Sequence, residues 1–199
     1  MNKSNFYILI VLFVLGACNP PAPSNRTEAY FDFEKLLSDQ QLKLATKNIL
    51  LHKTIWMGDS SNTEIYETDS STWGNELALF QDINLNNPVL RGQYKVQLSK
   101  DTASNLQIMQ HRSLDKTLPI KKLDVFYLSD PERPRKIEIE YNESNLIYDT
   151  YRVLNIEFDT IFKDLVVVKY GAKGHQKMIF KDSLSFSFES QLQFRNLAE

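Results

Sequence analysis

One cysteine and six glycines in 199 residues are two shortages that each remove a class of explanation. A lone thiol, Cys18, forms no intramolecular disulfide, so the fold must rest on an ordinary apolar core. Phosphate-cradling loops and dinucleotide fingerprints need clustered glycines, and neither pattern occurs. Gly-x-Ser-x-Gly is absent as well, which excludes a hydrolase of the nucleophile-elbow kind. The three histidines, His52, His111 and His175, lack the close spacing of a metal motif, so neither metal nor cofactor is assigned. No long apolar run reaches the roughly 20 residues that span a bilayer. Charge of one sign is missing too. The chain has 23 Lys and Arg against 25 Asp and Glu, interspersed, for a net charge of −2. Nucleic-acid binders carry a basic stripe, and none is present, so nucleic acid is not an expected partner.

What the chain does have begins at its N-terminus. Lys3 supplies a positive region, Phe6 to Leu15 an apolar one, and small residues follow, which is the layout of an export signal. The apolar stretch is too short for a membrane span. Leu15-Gly16-Ala17-Cys18 resembles the lipobox of bacterial lipoproteins. That resemblance implies a diacylglyceryl group on the Cys18 thiol, removal of residues 1–17, and acylation of the new amine. Each buried CH₂ contributes about 0.8 kcal/mol, so two or three chains hold a protein to a membrane lastingly.

Residues 18–29 then read as a tether. Asn19-Pro20-Pro21-Ala22-Pro23-Ser24-Asn25-Arg26 suits neither helix nor central strand, and in polyproline geometry it lifts the folded part by on the order of 25 Å. Residues 30–199 have the size and patterning of a single domain.

Within that domain two segments have helical periodicity. From Tyr30 to Thr46, Phe33, Leu36, Leu37, Leu44 and Ala45 share a face, and mixed charge on the other side favours packing on a sheet over lying in a membrane. From Thr72 to Ile83, Trp73, Leu77 and Phe80 share a second face. The rest alternates with a period of two. Asn48–Met57 and Thr63–Glu67 form a hairpin, and strands are expected around Val96, Ile108, Val125, Ile139, Leu146–Ile156, Leu165–Tyr170, Gln176–Phe180 and Phe186. Gly171-Ala172-Lys173-Gly174 reads as a turn between two of them. Short turns force antiparallel neighbours. The expected fold is α+β, a mainly antiparallel, curved sheet of about nine or ten strands with two amphipathic helices packed on it.

Residues with chemistry are few. Glu138 and Glu140 fall two apart and share a strand face, as paired acids of a glycosidase do, but Ile137, Ile139 and Tyr141 mark that face as the solvent side of an amphipathic strand. Asp101-Thr102-Ala103, Asp159-Thr160-Ile161 and Asp182-Ser183-Leu184 are similar to an O-glycosylation acceptor motif of exported proteins in Bacteroidetes-type bacteria. The resemblance implies glycan on Thr102, Thr160 and Ser183. Turn chemistry, with Asp and hydroxyl side chains bonding their own backbone, accounts for the tripeptides equally well.

Taken together, the anchor, the tether, Tyr30-Phe31-Asp32-Phe33, the Trp73 segment followed by Asn86-Asn87-Pro88-Val89-Leu90, and the run of strands resemble a lipoprotein family of Bacteroidetes-type bacteria. That likeness implies no activity and no site residues. Asn19 is not the aspartate resembling an inner-membrane retention signal, and no acidic run follows Cys18, so the expected location is the outer membrane, facing the periplasm. Three functions remain: a non-enzymatic accessory protein binding a protein or glycan through its sheet, a half-barrel carrier or receptor for an apolar ligand or lipoprotein, and, behind both, a hydrolase.

Overall fold

Nine strands carry the alternation into three dimensions in a computed structural model that describes residues 29–58, 60–161 and 163–195. Cys18, the signal at 1–17 and all but the last residue of the tether lie outside the described residues. Helix α1 (Phe33–Ala45) precedes β1 (Ile49–Met57) and β2 (Ser60–Glu67); helix α2 (Thr72–Glu76) and two 3₁₀ turns (Ala78–Phe80 and Pro88–Leu90) follow. Then come β3 (Tyr94–Lys100), β4 (Gln107–Ser113), β5 (Ile120–Tyr127), β6 (Pro134–Ser144), β7 (Tyr148–Ile161), β8 (Asp164–Met178) and β9 (Leu184–Phe194).

All strand pairs are antiparallel, in one open sheet ordered β2-β1-β9-β8-β7-β6-β5-β4-β3. Strands β3 to β9 form a meander, and β1 closes against β9, with Ile49 opposite Phe194 and Met57 opposite Phe186. The fold class is therefore α+β, as the pattern indicates. One inner-face row runs Lys53, Ser190, Tyr170, Ile156, Ile137, Val125, Met109, Leu98 across eight strands. The corresponding outer row runs Thr54, Glu189, Gly171, Asn155, Glu138, Asp124, Gln110, Gln97. Glu138 and its neighbour two residues on, Glu140, thus do face outward, and Glu138 pairs with Lys136 at 2.7 Å.

The inner side holds the core. Phe33, Leu37 and Leu44 of α1, together with Trp73, Leu77, Phe80, Ile83 and Leu85, are buried against Leu51, Leu123, Ile137, Ile139, Leu154, Ile156 and Tyr170. Helix α1 starts where the Asp32 carboxylate accepts the Lys35 N–H at 3.0 Å, a side-chain N-cap. The second helix is shorter than its periodicity predicts, with α-helix only over Thr72–Glu76. The apolar stripe survives because the 3₁₀ turn at Ala78–Phe80 brings Phe80 back onto the same face.

The expected turn at Gly171–Gly174 is overturned. All four residues lie inside β8, and the true turn follows Met178. The glycines serve close approach of neighbouring strands. A Cβ at Gly171 would sit 2.5 Å from the Phe188 carbonyl oxygen, and one at Gly174 would overlap the carbonyl of Tyr151. Likewise β7 begins at Tyr148, which leaves Leu146 and Ile147 in the turn before it. No helix among the described residues is long and apolar enough to cross a membrane.

Candidate functional site

Edge strand β3 sets the stage, because the helices stop short of it. Val96 and Leu98 point to the inner side, where they stand opposite His111 and Met109, yet they remain 46% and 68% exposed. An apolar strip on the core side of a sheet is normally covered. Beside it lies a cleft of about 430 Å³, lined by Tyr30, Phe31, Leu36, Met109 and Pro131, with Asp32, Lys35, Asp39 and Glu132 among the polar residues. That volume falls within the usual range for a small-ligand site.

Buried hydrogen bonds fix the segment that forms the cleft wall. The Tyr30 hydroxyl accepts the Tyr94 N–H at 3.1 Å and donates to the Tyr94 carbonyl at 3.3 Å. Asn86 grips the Tyr30 backbone from both sides, accepting its N–H at 2.8 Å and donating to its carbonyl at 3.0 Å. The Tyr94 hydroxyl donates to the Ile120 carbonyl at 3.0 Å; burial, then the neighbouring Tyr30, pushes its pKa up to about 12.

His111 completes the wall. Its Nδ1 sits 3.2 Å from the Leu123 carbonyl and its Nε2 accepts the Phe31 N–H at 3.4 Å, so the ring is neutral with the proton on Nδ1. Burial holds its pKa below the ordinary value, outweighing the Leu123 bond and the Asp124 charge. This histidine is a structural clamp, with no open nitrogen for catalysis.

The cleft's rim has three carboxylates against one ammonium. Lys35 donates to Asp39 at 2.9 Å, and that bond, with the charge of Asp39, raises the lysine pKa. An occupant with an apolar body and a neutral or cationic end fits this distribution best. The Asp69 carboxylate, far along the chain, is held down at about 2 by the hydroxyl and N–H groups of Ser71 and Thr72 that donate to it at the start of α2, and plays no part here.

A second polar cluster lies between α2 and the sheet. Glu76 accepts from Lys53 at 2.9 and 3.0 Å, from Tyr66 at 2.7 Å and from Tyr170 at 2.5 Å. Burial opposes its charge, but those donors win and its pKa is lowered. The Tyr66 and Tyr170 hydroxyls are shifted upward, chiefly by burial and then by Glu76. Every donor is spoken for, so the cluster ties helix to sheet and offers no reactive group.

On the outer face a shallow trough of about 330 Å³ crosses five strands, lined by Trp56, Lys136, Glu138, Val153, Asn155, Glu157, Lys173, Ser187 and Glu189 among others. Gly171, between Asn155 and Glu189, leaves its floor bare of side chain. Charges around it are largely paired: Arg112 and Lys122 with Asp124, Lys169 with Glu189 at 2.9 Å, and Arg135 with Asp159 at 2.8 Å.

The other residues singled out from the sequence do not converge. His52 lies 3.1 Å from Gln193, and His175 stacks on Tyr151 with ring centroids 5.7 Å apart. Thr102 and Thr160 are exposed at one end of the sheet and Ser183 at the other. Asp101 accepts the Ala103 N–H at 3.3 Å, the expected turn chemistry, whereas Asp159 accepts the Thr160 N–H at 2.7 Å from within the end of β7. The cleft itself is missed by sequence reasoning, because its walls come from segments about 100 residues apart. The available signal was Tyr94, Val96 and Leu98, an apolar side on a strand too few partners are left to cover.

No protein-family model matches the chain, and no curated protein matches it by sequence. Among solved structures, a LolA superfamily protein from Nitrosomonas europaea aligns over 85% of this chain and 96% of its own, at 10% identity and a TM-score of 0.29.

Proposed function

We propose that this chain is a non-enzymatic lipoprotein of the bacterial envelope, anchored through Cys18 in the outer membrane and facing the periplasm, that holds an apolar ligand in the cleft beside β3. The observation that carries this reading is the uncovered inner strip, Val96 and Leu98 opposite His111 and Met109, leading into a cleft with an apolar floor and an acidic rim. An acyl chain with a neutral or cationic head matches it. Burying such a chain contributes about 0.8 kcal/mol per CH₂.

A photo-crosslinking residue at Leu98 in the full chain, irradiated in cells, tests the idea. An adduct of lipid mass at position 98 and none at Gln97, which faces the other side, is the expected result. A bare residue 98, or a protein adduct alone, overturns it.

A second reading, a glycan or protein bound on the outer face, is favoured by the trough and by Trp56 at its end, since an indole pairs an apolar face with a donor. The same crosslinker at position 56 distinguishes the two. Thr102, Thr160 and Ser183 are all exposed, as acceptors of an O-linked glycan must be.

A further inference from the structure

Four turns share one end of the sheet: those after β1, β4, β6 and β8. Two of them protrude. Leu146 and Ile147 cap the β6–β7 hairpin, and Ile179 and Phe180 cap β8–β9. Leu146 is 94% exposed and Phe180 98%, so neither side chain contributes to the core. The Ile179 N–H donates to the Ile147 carbonyl at 2.8 Å, which binds the two tips into one unit. Met57, Ile147, Met178, Ile179 and Leu184 add exposed apolar surface at the same end.

Phe180 also sits at φ 59°, a left-handed backbone that glycine or asparagine adopts readily and a bulky aromatic does not. A turn that calls for glycine thus carries the most exposed large apolar side chain of the described residues. Strain of this kind persists where something other than folding selects the residue.

We propose that these paired tips dip into the lipid interface of the membrane that holds the chain. The inference rests on the reading of Cys18 as a lipid anchor for its geometry. The Phe31 N–H meets His111, whose row crosses the sheet to Ala172, and from there β8 and its turn run eight residues to Phe180. At about 3.3 Å per residue the tips stand about 26 Å beyond the point where the N-terminal segment leaves the sheet. The eleven steps from Cys18 to Ala29 reach at most about 36–40 Å. The anchored chain is therefore long enough to let the tips touch the same bilayer.

Shape and charge fit lipid better than a protein groove. The joined tips project as a convex apolar end, while Tyr148, Tyr151 and Trp56 lie one or more residues back, where interfacial aromatics belong. Lys177 and Lys181 are balanced by Asp149 and Asp182, so contact does not depend on anionic headgroups.

The test uses the full-length chain purified from membranes and reconstituted in vesicles of phosphatidylethanolamine and phosphatidylglycerol. A nitroxide on Phe180→Cys, and independently on Leu146→Cys, is compared with one on Leu128→Cys in the turn at the opposite end. Collisions with oxygen and with an aqueous nickel chelate report depth, and the mass of the Cys18 peptide reports the anchor. Labels at 180 and 146 should be oxygen-rich and several-fold shielded from nickel, with 128 open to water. The same result with an unmodified Cys18 sustains the tips and removes the anchor. Aqueous labels at 180 and 146 on lipidated protein overturn the tip contact and leave the anchor standing; aqueous labels on unmodified protein overturn both. Spin–spin broadening between copies at 180 also overturns it, in favour of a second chain.

Discussion

Gln40 and Val167 are joined across the helix–sheet interface: the carboxamide Oε1 of the helix residue accepts the strand residue's N–H at 2.9 Å, while its Nε2 donates to the Leu165 carbonyl at 3.1 Å. Both contacts fall beside the bulge at Glu157 and Phe158, where the β7–β8 ladder slips. A fully buried glutamine thus supplies hydrogen bonds that a bulge denies the strand.

Gln40→Leu keeps the apolar volume but orphans the Val167 N–H, whereas the Leu165 carbonyl retains Lys43 at 3.2 Å. One buried unsatisfied donor costs about 1–3 kcal/mol. Urea unfolding of the variant should show an unfolding free energy lowered by that amount and a correspondingly lower midpoint; an unchanged midpoint means the carboxamide is dispensable.

Acid should weaken the fold in two steps. Folded His111 has a lowered pKa, so below about pH 6.5 the unfolded chain takes up a proton that the folded chain refuses, and stability falls as pH drops. Glu76, also lowered, contributes stability that is present above its ordinary value of 4.5 and lost as pH falls further. Unfolding midpoints measured from pH 7.5 to 5 should decline in the wild type and run flatter in His111→Gln. A wild-type midpoint that rises toward pH 5 contradicts the assignment.

Trp73, Leu77 and Phe80 are buried, as their spacing of four and three predicts. Phe80 packs on Phe33 and Tyr170 with ring centroids 6.3 Å away in each case. Phe80→Ala should cost about 3–5 kcal/mol, a large share of a domain's usual 5–15, and lower the melting temperature accordingly. Wild-type melting with loss of ligand would instead make the stripe a functional surface.

Relaxing the backbone at Phe180 should do the opposite. Glycine accepts φ 59° without a Cβ clash, and the phenyl ring it replaces packs on almost nothing. Phe180→Gly is expected to leave stability unchanged or raise it by up to about 1 kcal/mol, seen as an equal or higher melting temperature. A clear drop would show that the ring has a structural role.

If the tips lie in lipid, Ser183, three residues from Phe180, is a poor place for a bulky polar glycan. Intact-mass and peptide mapping of the native protein should then find any O-linked sugar at Thr102 or Thr160, at the far end of the sheet, and none at Ser183. A glycan on Ser183 argues against membrane contact at that end.

The elements that were legible in the sequence are those whose burial follows a strict period. Ile137, Ile139 and Tyr141 alternate against Glu138 and Glu140, and the structure places the two sets on opposite faces. What failed was punctuation. Gly171 and Gly174 have turn chemistry but serve strand contact, and only the carbonyls of Phe188 and Tyr151, set by distant pairing, decide between the two uses. The apolar tips were hidden for a related reason: Leu146, Ile147 and Phe180 extend neighbouring strand patterns, and nothing local separates a strand's last residue from a turn's first. The cleft depends on Leu36, Met109 and Pro131 meeting, which only the whole sheet arranges.

The pairing of β1 with β9 also orders events in time. A ribosome delivers residues 49–57 long before residues 186–194, so during synthesis the β1–β2 hairpin has no neighbour on its other side and Glu76 has Lys53 and Tyr66 but not Tyr170. The meander can zip locally from β3 onward, yet closing β1 against β9 must bring together segments about 130 to 145 residues apart, a slow step by its contact order. A chain built this way leaves the β1 edge unpaired until β9 has been made.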